Sequence, residues 1–333
     1  MKKIIPLICA LVLGLSSLAW ASSDELVVYS ARKEHLIKDL FQTYEKATGV
    51  KIKYITGKAA VLLQRILAEG DNTAADILLT VDAGNLWHAA QKGILETVDS
   101  PVLTQNIPAH YRDPANQWFG LSVRARTLVY NTSKVNPREL GSYQDLAGPQ
   151  WKGRLLLRTS KKVYNQSLVA MLIAAEGKKK TAEILKGWVG NLAAPPYSSD
   201  TKVLEAIAAG QGDVGIVNTY YFGRLMKKNP NLPLALYWAD QKGNGVHVNV
   251  SGAGVVKSSK NKAAAVKFIE WLSSTSAQKI LADANMEYPV NQRVTIHPQV
   301  AAWGSFKENK INLSRAGELQ TQAIRLMDMA GYK

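Results

Sequence analysis

Apolar residues follow two different spacings along this chain, and the two spacings alternate. Short runs that are continuously or alternately apolar predict β-strands, because side chains repeat with a period of two along a strand. Segments with an apolar residue at every third or fourth position predict amphipathic helices. The first predicted pairs are strands 25–30, 50–57 and 75–81 with helices 36–44, 59–70 and 83–93. This order predicts an α/β fold, with a mostly parallel sheet and helices on both faces.

A second alternating series follows a long predicted strand at 119–131. It comprises strands 153–160, 213–218 and 246–256 and helices 164–177, 180–192, 201–211, 261–274, 276–285 and 315–329. Two α/β domains joined by hinge strands form a clam-shell, which holds a ligand at the carboxyl ends of the strands and closes by hinge motion. We place one lobe at 22–124 plus 247–297 and the other, C-terminal lobe at 125–246 plus 298–333. The series alone does not distinguish a receptor from a two-domain enzyme.

The first 21 residues predict export. They read as a basic start, an apolar stretch and the cleavage site Ala19–Ala21, which together are typical of a secretory signal peptide. Cys9 lies in that stretch and is the only cysteine, so the mature chain has no disulfide, thiolate metal site or cysteine nucleophile. No later apolar run approaches the roughly 20 residues of a spanning helix. We therefore expect a periplasmic protein that is not inserted in the membrane.

The chain is strongly basic, with a formal net charge of +15. Such a charge invites a nucleic-acid or anionic-surface interpretation. The basic residues are dispersed, however, and the longest run is Lys178–Lys180 beside a predicted helix start. A solvated basic surface explains this pattern, and export removes the usual nucleic-acid partners. We expect no nucleic acid as a partner.

Motifs of common enzymes are missing from the sequence. The five histidines show no zinc-site spacing, and there is no nucleophile elbow, phosphate-binding loop or dinucleotide fingerprint. We also find no candidate pair of nucleophile and base. The sequence therefore favours a binding protein over an enzyme.

Tyrosine is the aromatic residue that this chain favours, with 13 tyrosines against 5 phenylalanines. Tyr164, Tyr220 and Tyr221 each lie just after a predicted strand, where the rim of a cleft would be. Tyr220 and Tyr221 begin a predicted short helix, on which neighbours lie about a quarter-turn apart and can reach one cleft. Phenolate oxygens are hard ligands, and only a strong Lewis acid such as Fe(III) would deprotonate several together. Spacing alone nevertheless favours the simpler interpretation, in which these rings pack a helix onto a sheet.

Longer stretches carry a resemblance that changes this balance. The segments "LVVYSARKEHLIKDLFQTYEKATGVKIKYITG", "WKGRLLLRTS", "IAAGQGDVGIVNTYYFGRL" and "VNVSGAGVVKSSKNKAAAVKFIEWL" resemble the periplasmic ferric-ion-binding proteins of bacterial ABC-type iron uptake systems. The likeness implies a type II periplasmic-binding-protein clam-shell, Fe(III) as cargo, an inner-membrane ABC permease as partner and a monomeric state. It also implies that Tyr220 and Tyr221 are iron ligands. The "YNQSL" stretch is similar to a subgroup with a further tyrosine ligand, here Tyr164.

Two positions depart from the family pattern. Many relatives place a histidine after the first strand, where this chain has Lys33 and Glu34, and His35 would face elsewhere. Others place a glutamate after the third strand, where this chain has Val81. The resemblance therefore implies the variant that uses three tyrosinates and a small anion such as carbonate.

Several residues are candidates for holding that anion. Arg32 offers a planar guanidinium suited to bidentate contact with an oxyanion, and Lys33 adds a second positive charge. Thr159 and Ser160 follow a predicted strand and offer hydroxyl or backbone donors. The alternative for Arg32 and Lys33 is that they begin a helix and face solvent.

Arg126 and Asp200 are candidates for supporting the ligands from behind, although a surface ion pair would explain them equally well. A second functional hypothesis keeps the fold and changes the ligand to an oxyanion or a small organic acid. The basic composition favours that alternative slightly. A polyamine receptor fits less well, because the strand ends carry few carboxylates.

Overall fold

The computed structural model describes residues 25–333. The predicted signal peptide and Cys9 lie outside the described residues. The strands are β1 Glu25–Ser30, β2 Lys51–Thr56, β3 Ile77–Thr80, β4 Phe119–Asn131, β5 Leu155–Leu156, β6 Val214–Asn218, β7 Leu234–Tyr237, β8 Val248–Val255 and β9 Tyr288–Pro289. The helices are α1 Lys38–Thr48, α2 Ala59–Glu69, α3 Ala83–Gln91, α4 Pro101–Asn106, α5 Val163–Glu176, α6 Lys178–Gly190, α7 Asp200–Ala208, α8 Thr219–Lys228, α9 Lys262–Leu272, α10 Thr275–Asp283, α11 Pro298–Ala301, α12 Ser314–Glu318 and α13 Gln320–Met329. Short 3₁₀ turns connect several of them.

The strands form two sheets that share β4. In the first sheet the order is β2, β1, β3, β8 and β4, and β9 pairs with β4 as well. In the second sheet β4 pairs with β6 and β7, and β6 pairs with β5. We call the two parts of the molecule built on these sheets the first half and the second half.

Strand β4 changes its neighbour in the middle of its length. Up to Ala125 it pairs with β8, and from Arg126 onward it pairs with β6. The two halves are therefore joined by one continuous strand, as the clam-shell prediction requires. The predicted lobe boundaries themselves stay a prediction.

The prediction of a mostly parallel sheet is wrong. Only β1 with β2, β1 with β3 and β5 with β6 are parallel among the described strand pairs, whereas β8 and β4 run antiparallel to all their partners. The reason is that β8 returns from the second half and inserts between β3 and β4, so it runs opposite to both. The parallel strands still end at one edge of each sheet, and those edges are where the loops of the site begin.

Most predicted helices and strands are present within a few residues of their expected bounds, but two differ. The strand predicted at 153–160 pairs only as β5, apart from isolated bridges at Leu155 and Arg158. The helix predicted at 315–329 is divided at Leu319 into α12 and α13. Gly317 of α12 lies so close to Trp87 of α3 that a Cβ atom there would be 2.7 Å from the Trp87 Cβ. This packing holds α12 against the first half, while α13 packs on α5.

The core consists of one large apolar cluster that runs through both halves and a smaller cluster in the second half. The smaller cluster lies between α7, α8 and the second sheet and includes Val203, Ile207, Val217, Phe222 and Leu225. The smaller cluster holds the apolar side of α8, so the opposite side of that helix faces away from the cluster. None of the helices within residues 25–333 is long and apolar enough to cross a membrane.

Candidate metal centre

A pocket of about 180 Å³ lies where the loops after β1 and β3 face the starts of α5 and α8. Both halves contribute to its wall. The lining residues are Ala31, Arg32, Lys33, Leu36, Val81, Arg124, Tyr164, Tyr220, Tyr221, Arg224, Ser251, Asn285 and Glu287. All three predicted tyrosines are among them, so the structure brings together residues that lie more than fifty positions apart in sequence.

The two adjacent tyrosines face this pocket because of how α8 begins. Asn218 ends β6 in an extended conformation, and the helix starts at Thr219, so both rings lie in its first turn. Phe222 is held in the small apolar cluster on the other side of the helix. The rings of Tyr220 and Tyr221 lie 4.5 Å apart between centroids, at an interplanar angle of 33°. Neighbouring residues therefore share one pocket, as the helical interpretation predicts.

Tyr164 reaches the same point from the first turn of α5. Its phenol group lines the same pocket as that of Tyr220 and raises the pKa of Tyr220. The amide Nδ2 of Asn218 also donates to the Tyr220 hydroxyl, over 3.3 Å. Two helix N-termini thus present phenol groups to one point, and the dipoles of both helices favour negative charge there.

Burial favours the protonated form of two of these phenols, Tyr164 and Tyr220. It raises the pKa of Tyr164 above its ordinary value, against the opposing charge of Arg124. Burial also raises the pKa of Tyr220 well above its ordinary value, and the neighbouring phenols Tyr164 and Tyr221 add to this rise. A bound cation of high charge inverts this preference, because it stabilises the phenolates directly. The donor set therefore fits a hard, highly charged metal ion.

Three arginines surround the phenols, and the sequence analysis did not select Arg124, Arg158 or Arg224. The Arg124 and Arg158 guanidinium carbons lie 5.7 Å and 5.2 Å from the Tyr164 ring centroid. That of Arg224 lies 4.8 Å from the Tyr221 ring centroid. Arg224 follows Tyr221 by three residues on one helix, a spacing that would have identified it. Arg124 and Arg158 come from other elements, and no local pattern marks them.

Arg32 is buried in the pocket wall and does not face solvent. Its Nη1 donates to Ser122, Ser251 and Glu287, at 3.1, 2.8 and 3.0 Å. Burial raises the pKa of Glu287, but Arg32 and Ser122 outweigh it and hold that pKa below its ordinary value. The Nε and Nη2 atoms of Arg32 have no hydrogen-bond acceptor among residues 25–333. Two buried donors beside the pocket therefore lack an acceptor, which suits an anion bound next to them. Lys33 also lines the pocket, and its side chain is exposed.

The other residues selected from the sequence lie outside the pocket lining. The Thr159 amide donates to the Tyr197 carbonyl and the Ser160 amide to the Lys333 carbonyl, so neither amide is available to an anion. Arg126 and Asp200 form a buried ion pair with Nη1 and Oδ2 2.9 Å apart, which excludes the surface-pair alternative.

That ion pair connects the two helices that carry the tyrosines. Arg126 donates to the Oδ1 atoms of Asn165, next to Tyr164, and of Asn218, two residues before Tyr220. Asp200 in turn accepts from the Asn218 amide, over 3.0 Å. A single guanidinium thereby fixes the starts of α5 and α8 relative to each other.

Other conventional metal ligands are not gathered at any point of the described chain. Within residues 25–333, no group of three or more His, Cys, Asp and Glu side chains could hold a metal ion. His35 is exposed, and Asp82 caps α3 while accepting from Ser167 across the two halves. Any metal in this pocket would therefore have phenol oxygens as its main protein ligands.

Comparison with known proteins gives a consistent result. Residues 72–307 match the family described as bacterial extracellular solute-binding protein. The chain is 43% identical to iron uptake protein A1 of Synechocystis sp., over 93% of this chain and 88% of the relative. It is 30% identical to the Fe(3+)-binding periplasmic protein of Serratia marcescens, over 93% and 92% of the two chains. A solved Trichodesmium structure in complex with iron and citrate is 43% identical, with a TM-score of 0.90 over 93% of this chain and 100% of that one. This likeness confirms the predicted fold class.

Proposed function

The chain belongs to the bacterial extracellular solute-binding protein family, and on that premise we propose that it captures Fe(III) between its two halves through Tyr164, Tyr220 and Tyr221. The observation that carries the proposal is the convergence of three phenol groups on one pocket wall. Three phenolates neutralise the charge of Fe(III), and hard oxygen donors suit it. The related proteins named as ferric-iron-binding and iron uptake proteins support the same cargo.

A small anion completes the site in this proposal. Three tyrosines leave coordination positions of the ion open, and Arg32 has two donors without an acceptor on the pocket wall. Arg124 and Lys33 add positive charge to the same wall. Citrate, present with iron in the related Trichodesmium structure, and carbonate are both oxyanions that a guanidinium can hold.

The rest of the proposal extends the likeness to this family. The protein acts in the periplasm after its signal peptide is removed, as a monomer, and it delivers iron to an inner-membrane ABC permease. Its role is binding rather than catalysis, which agrees with relatives that are named as binding proteins. Closure of the two halves around iron presents the surface that the permease recognises.

Colour tests this proposal directly, because electron transfer from phenolate to Fe(III) absorbs visible light. Metal-free protein is titrated with Fe(III) in the presence of bicarbonate or citrate, and a visible band with one iron per chain is the expected result. Tyr220→Phe, Tyr221→Phe and Tyr164→Phe should each weaken the band and lower the affinity.

Tyr197→Phe is the matched control, since the Tyr197 hydroxyl bonds to Gln211 outside the pocket and should leave the band unchanged. A colourless product after loading of the wild-type protein would defeat the proposal. Titrations without added anion show whether the anion is required.

A second candidate is a receptor for an oxyanion or a small organic acid that needs no iron. The charge of the pocket lining favours this candidate. The lining contains one carboxylate, that of Glu287, and four cationic side chains, those of Arg32, Lys33, Arg124 and Arg224. Calorimetry with metal-free protein separates the two. Binding of citrate or phosphate without iron belongs to the second candidate, and anion binding only with iron belongs to the first.

A further inference from the structure

Arg158 has no role in the proposed iron site so far, although it lies against two of the tyrosines. Only 7% of its surface is exposed, and its Nη1 lies 3.5 Å from Oδ1 of Asp200. Asp200 is itself held by Arg126. A charged guanidinium is therefore fixed beside the tyrosines, two residues after the end of β5.

The position of Arg158 relates it to Tyr221 in particular. Its guanidinium carbon lies 5.2 Å from the Tyr164 ring centroid and 5.8 Å from that of Tyr221. Burial lowers the pKa of Arg158, but the charges of Asp200 and Tyr221 outweigh burial and raise that pKa. Tyr221 is only half-buried, whereas Tyr220 is buried. The Tyr221 ring is therefore the less enclosed of the two, and the guanidinium of Arg158 is one of the groups that contact it.

We propose that Arg158 is the positioning residue of the iron site, which aims the Tyr221 oxygen at the metal and weakens its electron donation. The inference rests on the proposed function. A guanidinium held between Asp200 and two rings has a fixed position, so its contact with the Tyr221 ring restricts the directions that this ring can take. A cation beside a phenolate stabilises the negative charge on its oxygen, which lowers the energy of its donor orbital.

The test uses the full-length mature protein loaded with Fe(III). Arg158→Met removes the positive charge and keeps a side chain of similar length. The charge-transfer band should move to longer wavelength, because the donor orbital rises in energy. The affinity for iron, measured by competition with a chelator, should fall by about 10- to 100-fold, as is usual for partners that orient metal ligands.

Arg158→Lys keeps a positive charge beside Asp200 but loses the planar fork, and should give a smaller shift of the band in the same direction. Arg154→Met is the matched control, because Arg154 stacks on Trp151 and pairs with Asp213 away from the tyrosines. Its band and affinity should equal those of the wild type.

The outcomes separate this inference from the function on which it rests. A wild-type protein that takes up no iron overturns the proposed function. A coloured wild type whose band position is the same in both Arg158 variants overturns only the role of Arg158. Circular dichroism and thermal melting of each variant show that it is folded, and the lysine variant decides the matter if the methionine variant does not fold.

Discussion

Replacing Arg126 by methionine should damage both the stability and the site of this protein. The guanidinium donates to Asn165, Asp200, Asn218 and the Ile216 carbonyl, and no more than 2% of either side chain in its pair with Asp200 is exposed. Removing one partner leaves a buried carboxylate without its main counter-charge. Losses of this kind cost about 3–5 kcal/mol of unfolding free energy.

The same substitution releases the two helices that carry the tyrosines. Asn165 and Asn218 lose their common donor, so the starts of α5 and α8 are no longer fixed to each other. We therefore expect the affinity for iron to fall as well, even in protein that remains folded.

Two measurements check this prediction. Urea unfolding of metal-free protein, followed by tryptophan fluorescence, gives the free energy of unfolding, and chelator competition gives the affinity for iron. Arg154→Met is the control, because the Arg154 pair with Asp213 is partly exposed and should contribute at most about 1 kcal/mol. A loss for Arg126→Met no larger than that of the control, with unchanged iron affinity, would refute the reasoning.

Two further substitutions test other parts of the structure. Gly223→Ala places a Cβ atom 2.7 Å from Sδ of Met286 and from the Trp303 ring, so it should displace α8 and weaken iron binding in a chelator competition. Gly190→Ala is the control, because no atom lies within 4 Å of the added Cβ, and its iron binding should be unchanged. Equal iron affinity in the two variants would contradict the prediction. Burial lowers the pKa of His247 from 6.5 to about 3. Between these pH values the unfolded chain binds a proton that the folded chain does not, so the free energy of unfolding decreases as the pH is lowered. Between pH 7 and pH 5, the unfolding free energy of the wild type should therefore fall by roughly 2 kcal/mol more than that of His247→Asn. Equal losses in urea unfolding would show that the imidazole does not cause the effect.

The tyrosines were accessible to sequence reasoning because their signal is local. Tyr220 and Tyr221 are adjacent and follow a run of apolar residues that reads as a strand, so the start of α8 was predictable from a few residues. Tyr164 follows another predicted strand in the same way. Their roles as ligands stay a prediction, which the placement of all three in one pocket supports.

The charged residues around the tyrosines could not be predicted from local sequence patterns. Arg158 approaches Tyr221 from 63 positions away in the printed sequence, and Arg124 approaches Tyr164 from a strand shared by both sheets. Arg32 was selected as an anion donor, but its ion pair with Glu287 has no sequence signal, because the two lie 255 positions apart. Contacts of this kind depend on tertiary packing rather than on local periodicity.

The relative direction of the strands could also be predicted only in part from the sequence. Alternating strands and helices correctly predicted β1, β2 and β3 as parallel neighbours, but β8 inserts between β3 and β4 and reverses the direction. The edge strand β7 was missed because its segment around Leu234 lies between prolines and polar residues, and it is short.

Strand β4 has a mechanical consequence. Because it leaves β8 and joins β6 between Ala125 and Arg126, a rotation of one half against the other twists the peptide unit between these residues. Arg126 also donates hydrogen bonds to Asn165 and Asn218, at the starts of the two helices that carry the tyrosines. Opening of the two halves is therefore expected to displace the helices that carry the proposed iron ligands, which would couple opening to release of the ion.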